Sequence, residues 1–181
     1  MNKLPKIKSA KLVAKTRIFA VEELSMEFSN GEQRIYERLK AGANGAVMVI
    51  PVFDDEHFLL IKEYAAGVEA YELAFPKGLI EQDELPETAA NRELQEEAGF
   101  AANQLTSLKQ ISLAPGYLSH KMHLILAQDL YPSKLEGDEP EPIEVVKWKF
   151  SEIDKLLQRD DFTEARSIAA LYLLQTHLNN N

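Results

Sequence analysis

The stretch that most constrains this chain is PETAANRELQEEAGF, residues 86–100. Pro86 suits the first helical position, where no amide hydrogen is needed, and Gly99 suits the residue just past a helix end. Ala90, Leu94 and Ala98 recur every four residues and give a narrow apolar stripe that a core must cover. A helix over residues 86–98 is therefore expected, packed on a sheet or another helix. Its charges follow a different logic. Glu93 and Glu97 lie four apart on the flank of the stripe, with Glu96 beside them. Like charges at that spacing repel by roughly a few tenths of a kcal/mol per pair, and the negative end of the helix dipole disfavours acids in the last turn. Residues 81–97 hold seven acids against Arg92 alone, which is −6 of the formal net charge of −9. Most acidic runs are solvated faces. Carboxylates clustered at the margin of a core suit a hard cation, Mg²⁺, Mn²⁺ or Ca²⁺.

Around this helix the sequence reads mainly as strands. KLVAKTRIFAVEELSMEFSNGEQRIYERLKA reads as strand, turn, strand, with a hairpin signal at Asn30-Gly31. GAVMVIPV (45–52) is a continuous apolar run, the mark of a strand buried on both faces. HFLLIKEY (57–64), YELAF (71–75), LTSLKQISLA (105–114), MHLILAQDLY (122–131) and IEVVKWKF (143–150) are further strand candidates. EGDEPEP (136–142) is an acidic, proline-rich loop. Ser151 is a plausible N-cap for SEIDKLLQ, and residues 162–178 read as a closing amphipathic helix. Strands on both sides of helices predict an α/β or α+β sandwich on a mixed sheet. Residues 1–42 form a hairpin-like unit that needs something to pack on, and a second subunit is one option; residues 43–181 form the main domain.

Several classes are excluded or disfavoured. The 181 residues contain no cysteine, so disulfides, Cys–zinc sites and thiol chemistry are absent. The net charge argues against general nucleic-acid binding. No apolar run approaches the roughly 18 residues of a membrane span, and the N-terminus lacks a signal core. A soluble, cytoplasmic chain is expected. His120 and His123 look like a metal pair, but residues three apart on a strand face opposite sides; His57 and His177 are isolated.

The spacing is more informative than the charge. From Gly78 the chain runs five residues to Glu84, seven to Arg92-Glu93-Leu94, one to Glu96-Glu97 and one to Gly99-Phe100. GLIEQDELPETAANRELQEEAGF (78–100) resembles the box of the Nudix hydrolases at each of its nine constrained positions. YELAFPKGLI, LEGDEPEP and EARSIAALYLL extend the resemblance to the ADP-compounds hydrolase (NudE-type) branch, close to the ADP-ribose pyrophosphatases. The resemblance implies a Nudix-type α/β/α sandwich with a mixed sheet, and Mg²⁺- or Mn²⁺-dependent hydrolysis of the pyrophosphate linkage in ADP-containing compounds such as NADH, ADP-ribose and diadenosine polyphosphates, releasing AMP. It also implies a homodimer built through the N-terminal hairpin.

The residues divide into roles. Glu93 and Glu97 are metal-ligand candidates on one helix turn. Glu96 is either a third ligand or an ion-pair partner of Arg92. Gly78 permits close backbone approach, and the resemblance makes Lys77 the carbonyl donor beside it. Arg92 can reach Glu96 along the helix or fold back to Glu84; the resemblance implies the second, with Arg92 and Glu84 shaping the site. The loop carries Asp138, Glu139 and Glu141. By resemblance Glu139 is the general base and Glu141 touches a metal, with Glu93 or Glu96 as the alternative base. Tyr64, Glu72, Pro115 and Tyr117 are the substrate-side candidates; Tyr71 also lies near the inferred cleft.

Two departures bear on specificity. Where the ADP-ribose branch has Ser-Pro-Gly followed by a substrate-side Glu, this chain reads APGYLSHK (114–121), with Ala114 and His120 at the changed positions. Where the branch has Gln-Tyr-Arg after a strand, this chain has Glu63-Tyr64-Ala65, and an arginine for the diphosphate is missing. Both favour a broader range of ADP compounds over free ADP-ribose. Competing expectations are a nucleotide sugar or damaged nucleoside triphosphate as substrate, and a non-catalytic Nudix-fold sensor, a class that typically loses box carboxylates this chain keeps.

Overall fold

A computed structural model describes residues 3–42, 44–137 and 140–179, with residue 179 described by its backbone only. The chain forms two compact units, one of residues Met1–Gly45 with Ser112–Lys121, the other of Ala46–Ile111 with Met122–Asn181.

The first unit is a three-stranded antiparallel sheet, β1 (Lys6–Lys15), β2 (Ala20–Glu27) and β3 (Gln33–Leu39), in that spatial order. The Asn-Gly signal resolves into a three-residue loop. Phe28 N–H bonds the Glu32 carbonyl at 2.8 Å, Gly31 N–H bonds the Phe28 carbonyl at 3.0 Å, and Gly31 takes φ 84°, which a side chain would resist. Glu22 is buried on β2 and is held by Arg38 (2.8 and 3.0 Å) and Lys40 (2.7 Å). The segment around Pro115 is clipped to the end of β3: Leu39 N–H bonds the Tyr117 carbonyl at 2.7 Å and Ser119 N–H bonds the Leu39 carbonyl at 3.1 Å. All of β1 is exposed, Ile7, Leu12 and Val13 included.

The second unit holds two sheets. One is β7 (Lys77–Leu79), β4 (Ala46–Pro51), β9 (Lys121–Pro132) and β8 (Phe100–Ser112) in spatial order, with β4 parallel to β9 and antiparallel to β7, hence mixed. The other is antiparallel, β10 (Glu144–Lys149), β5 (His57–Ala65) and β6 (Ala70–Ala74). Strand β4 explains the apolar run. Its residues Ala46, Met48 and Ile50 pack with Ala170, Leu171 and Leu174 of helix α3 (Ala165–Asn179). Val47 and Val49 pack instead with Ala89 and Ala90 of helix α1 (Pro86–Glu93) and with Leu94 and Ala98 of the turn that follows. Helices on both faces give the expected α/β/α sandwich.

Some expected boundaries move for local reasons. The helix over 86–98 is α1 followed by a wide π-helical turn, Leu94–Ala98, a form that concentrates at functional sites. Gly99 closes it at φ 75°. Strand β8 begins at Phe100, well before residue 105, because Ala102 N–H is taken by Asn91 Oδ1 at 2.8 Å directly after the helix. Ser151 caps nothing: it lies in a 3₁₀ turn, Phe150–Glu152, and Glu152 precedes helix α2 (Ile153–Leu156). Helix α3 starts at 165, not 162, because Glu164 caps it, accepting Ser167 N–H at 2.7 Å and Ser167 Oγ–H at 2.9 Å.

Ser167 is fully buried and its Oγ also accepts Phe75 N–H at 3.1 Å, tying the end of β6 to α3. Replacing Ser167 by Ala strands that amide. The substitution is expected to lower stability by about 1–3 kcal/mol, read as a lower urea midpoint with an unchanged slope.

Candidate active site

Packing of Ala90, Leu94 and Ala98 on the sheet fixes the rotation of α1, and so brings the flank carrying Glu93 and Glu97 against β7. Both acids are buried, at 8% and 4% exposure. Gly78 is required there: a Cβ on it would overlap the Glu93 carboxylate. Lys77 N–H donates to Glu97 Oε2 at 2.8 Å, and Lys77 Nζ donates to Glu63 Oε2 at 2.7 Å.

Arg92 holds the loop and helix together. Nε and Nη2 donate to the two Glu84 oxygens at 3.0 and 3.1 Å, and Nη2 also to the Leu79 carbonyl at 2.9 Å. Nη1 donates to Glu93 Oε1 at 2.7 Å and Glu96 Oε2 at 2.9 Å. The two sequence alternatives for Arg92 are thus both realised. Glu84 raises the guanidinium pKa further above its usual value, and Arg92 in turn lowers that of Glu84, which also accepts Glu81 N–H at 2.9 Å.

Glu97 behaves differently. Among the described residues its carboxylate has one hydrogen bond, from Lys77 N–H. Burial pushes its pKa up to about 8, against the opposing pull of Lys77. A buried carboxyl that resists ionisation is a place where a cation binds with gain. Among the described residues no three acidic or histidine side chains already stand in metal-binding geometry; Arg92 Nη1 lies between Glu93 Oε1 and Glu96 Oε2. The donor set itself, hard carboxylate oxygens beside a close backbone strand, fits a divalent cation.

Glu93, Glu96, Glu97, Lys77 and Arg92 line one cleft of about 820 Å³ together with Glu63, Glu81 and Glu136. Glu141 lies elsewhere, in an adjoining cleft of about 390 Å³ with Tyr64, Tyr71 and Lys62, where it accepts the Tyr71 hydroxyl at 2.5 Å. Tyr64 and Tyr71 pack edge to face with ring centres 5.5 Å apart. Glu72 faces a third cleft and accepts Thr163 Oγ1–H at 2.8 Å. Pro115 and Tyr117 belong to the first unit, in a groove with Leu24, Met26 and Arg38. Asp138 and Glu139 lie outside the described residues. His120 precedes β9 and does not sit on it, whereas His123 lies on that strand and bonds Gln110 at 2.8 Å. His57 pairs with Asp54 at 2.7 Å. Tyr71, Glu63 and Lys77 are each named from the sequence, but the Tyr71–Glu141 and Glu63–Lys77 pairings are not. Their only signal was position, next to the altered Glu63-Tyr64-Ala65 and Pro76-Lys77-Gly78 segments.

Residues 5–38 match the N-terminal domain of NudE-type Nudix hydrolases, and residues 43–172 match the NUDIX domain. The chain is 52% identical to ADP compounds hydrolase NudE of Escherichia coli (strain K12), covering 96% of this chain and 93% of the relative. It is 31% identical to the ADP-ribose pyrophosphatase of Bacillus subtilis (strain 168), covering 91% and 92%. A crystal structure of an ADP compounds hydrolase superposes with a TM-score of 0.92 at 49% identity, covering 99% of this chain and 97% of that one.

Two outcomes follow from this geometry. Gly78→Ala is expected to displace Glu93 and abolish metal-dependent activity while the protein still melts cooperatively. In chelator, the raised Glu97 pKa favours the folded state fully below its ordinary value of 4.5, and that contribution is lost as pH rises through about 8. Thermal melting from pH 5 to 9 should show a decline in wild type relative to Glu97→Gln, and added divalent cation should remove it.

Proposed function

Because the chain belongs to the Nudix hydrolase family, we propose that it is a pyrophosphohydrolase of ADP-containing compounds, X-pp-adenosine, cleaving the pyrophosphate linkage to AMP and phosphorylated X. The observation that carries this reading is Glu97, buried and uncharged-prone beside Glu93 and Glu96 in the wall of one cleft. The 52% identity to an ADP compounds hydrolase supports the substrate class.

Nudix hydrolases use divalent metals, and Mg²⁺ or Mn²⁺ is the ion proposed here. When bound it neutralises the phosphate oxygens and acidifies water. Glu93 and Glu97 would hold it, with Glu96 and the Lys77 carbonyl. With Nε and Nη2 on Glu84 and Leu79, Arg92 would anchor the loop on the helix while Nη1 could yield its place between Glu93 and Glu96. Water attacks a phosphorus, a phosphorus–oxygen bond to the bridging oxygen breaks, and the water proton passes to a base. Glu139 is the proposed base, with Glu96 or Glu93 as the alternative. Glu141, which accepts the Tyr71 hydroxyl in the adjoining cleft, is proposed as a metal contact that would have to give up that bond. Tyr64, Glu72, Pro115 and Tyr117 are proposed as substrate contacts. The exposed apolar side chains of β1 support a homodimer through residues 1–42, with residues 43–181 as the catalytic domain, working in the cytoplasm.

With Mg²⁺, the wild type is expected to release AMP from NADH, ADP-ribose and diadenosine polyphosphates. Glu97→Gln should lower kcat by about 10²–10⁴-fold, the equivalent of several kcal/mol of lost charge stabilisation. Product analysis by chromatography reads both. Absence of metal-dependent turnover on every ADP compound, or an unimpaired Glu97→Gln, overturns the reading.

A further inference from the structure

The wall of the main cleft is dominated by carboxylates: Glu63, Glu81 and Glu136 stand with Glu93, Glu96 and Glu97. A diphosphate entering it is repelled by each ionised one. Two basic side chains line the same wall, Arg92 and Lys77. Every guanidinium nitrogen of Arg92 is already engaged, with Glu84, Leu79, Glu93 and Glu96. The ammonium of Lys77 carries three hydrogens, and its bond among the described residues is to Glu63 Oε2 at 2.7 Å. That pair is partly open to solvent, the two side chains being 20% and 38% exposed, so exchanging one partner for another costs little. Lys77 and Glu63 also line the cleft of Thr163 and Arg166, and Glu63 lines the cleft of Tyr64 and Tyr71. Glu63 therefore lines three clefts, and Lys77 lines two of them. Arg166 is no substitute, since it is ion-paired with Glu164.

We propose that the Lys77 ammonium grips the diphosphate of the substrate, passing from Glu63 to a non-bridging phosphate oxygen as the substrate enters. This rests on the pyrophosphohydrolase reading of the site and adds to it the residue that binds the phosphates directly. Glu63 is the holding partner: it keeps the ammonium in the cleft wall until a stronger anion arrives. The backbone of Lys77 has a separate task, since its N–H orients Glu97. The side chain can therefore be changed while the backbone contact to the carboxylate site stays.

Binding of methylenediphosphonate with Mg²⁺ in excess, measured by calorimetry, tests this without turnover, alongside KM for ADP-ribose and Mn²⁺ affinity in the absence of substrate. Lys77→Met is expected to weaken diphosphonate binding and raise KM by about 10- to 100-fold, the range of a lost charge-assisted hydrogen bond. Lys77→Arg should recover most of that loss. Mn²⁺ affinity should hold or rise, because a positive charge has left an acidic cleft. Glu63→Gln, which frees the ammonium, should bind diphosphonate as tightly as wild type or tighter. Unchanged diphosphonate affinity in Lys77→Met overturns the proposal, as does a parallel loss of Mn²⁺, which would make Lys77 a support of the metal site. Weaker diphosphonate binding by folded Glu63→Gln also overturns it. A wild type that bound diphosphonate but hydrolysed no ADP compound would sink the pyrophosphohydrolase reading and leave the Lys77 result standing.

Discussion

The site depends first on the fork of Arg92. A guanidinium offers five donors in a fixed plane, and here they reach a loop carboxylate, a loop carbonyl and two helix carboxylates at 2.7 to 3.1 Å. The loop from Leu79 to Glu84 is thereby pinned to α1. That pin sets where β7 runs, which lets Gly78 come up against Glu93 and lets Lys77 N–H meet Glu97. A lysine at 92 could satisfy one of these partners but not the set, and the unpaired carboxylates would then push the loop outward. Removing one member of a partly buried ion-pair network is costly because the others stay behind uncompensated.

The same network explains how the protein folds with so many acids in one place. Glu84, Glu93 and Glu96 share one positive charge, and Glu97 is relieved by resisting ionisation. Repulsion is thus contained in two ways that leave the fold intact before any cation arrives. Both are provisional in chemical terms. Nη1 lies between two box acids, and the Glu97 carboxyl is pushed toward its protonated form chiefly by burial, with the charges of Glu63 and Glu93 adding to it. A divalent cation held here, as proposed, would compete with the first and displace the second.

Much of this was legible in the residues. The alternation of β4 between two cores follows from an apolar run too long to have a wet face, and the position of the helix follows from Pro86 and Gly99. The acids at 93 and 97 broke two local rules on a helix otherwise well formed, which is how a functional site shows itself in a sequence. Other features depend on partners far along the chain. Nothing near Ser167 announces that its hydroxyl takes the Phe75 amide, 92 residues back along the chain. The early start of β8 hangs on a single Asn91 side chain. Glu141 sits on Tyr71 across seventy residues, a pairing no spacing rule encodes.

The choice of lysine over arginine in the carboxylate cleft bears on selectivity. An arginine fork fixes the orientation of a phosphate by two parallel bonds, whereas an ammonium on a flexible stem is a point charge that follows the anion. In this chain Ala65 stands where the related branch carries an arginine, and a cation lining the carboxylate cleft is Lys77, tethered by Glu63. A grip of that kind holds a diphosphate firmly enough to set it on the carboxylate site but leaves the groups on either side free to settle into whichever cleft they fit. On that proposal the tyrosine cleft, with its edge-to-face rings, and the Glu72–Thr163 cleft would be left to discriminate among ADP compounds.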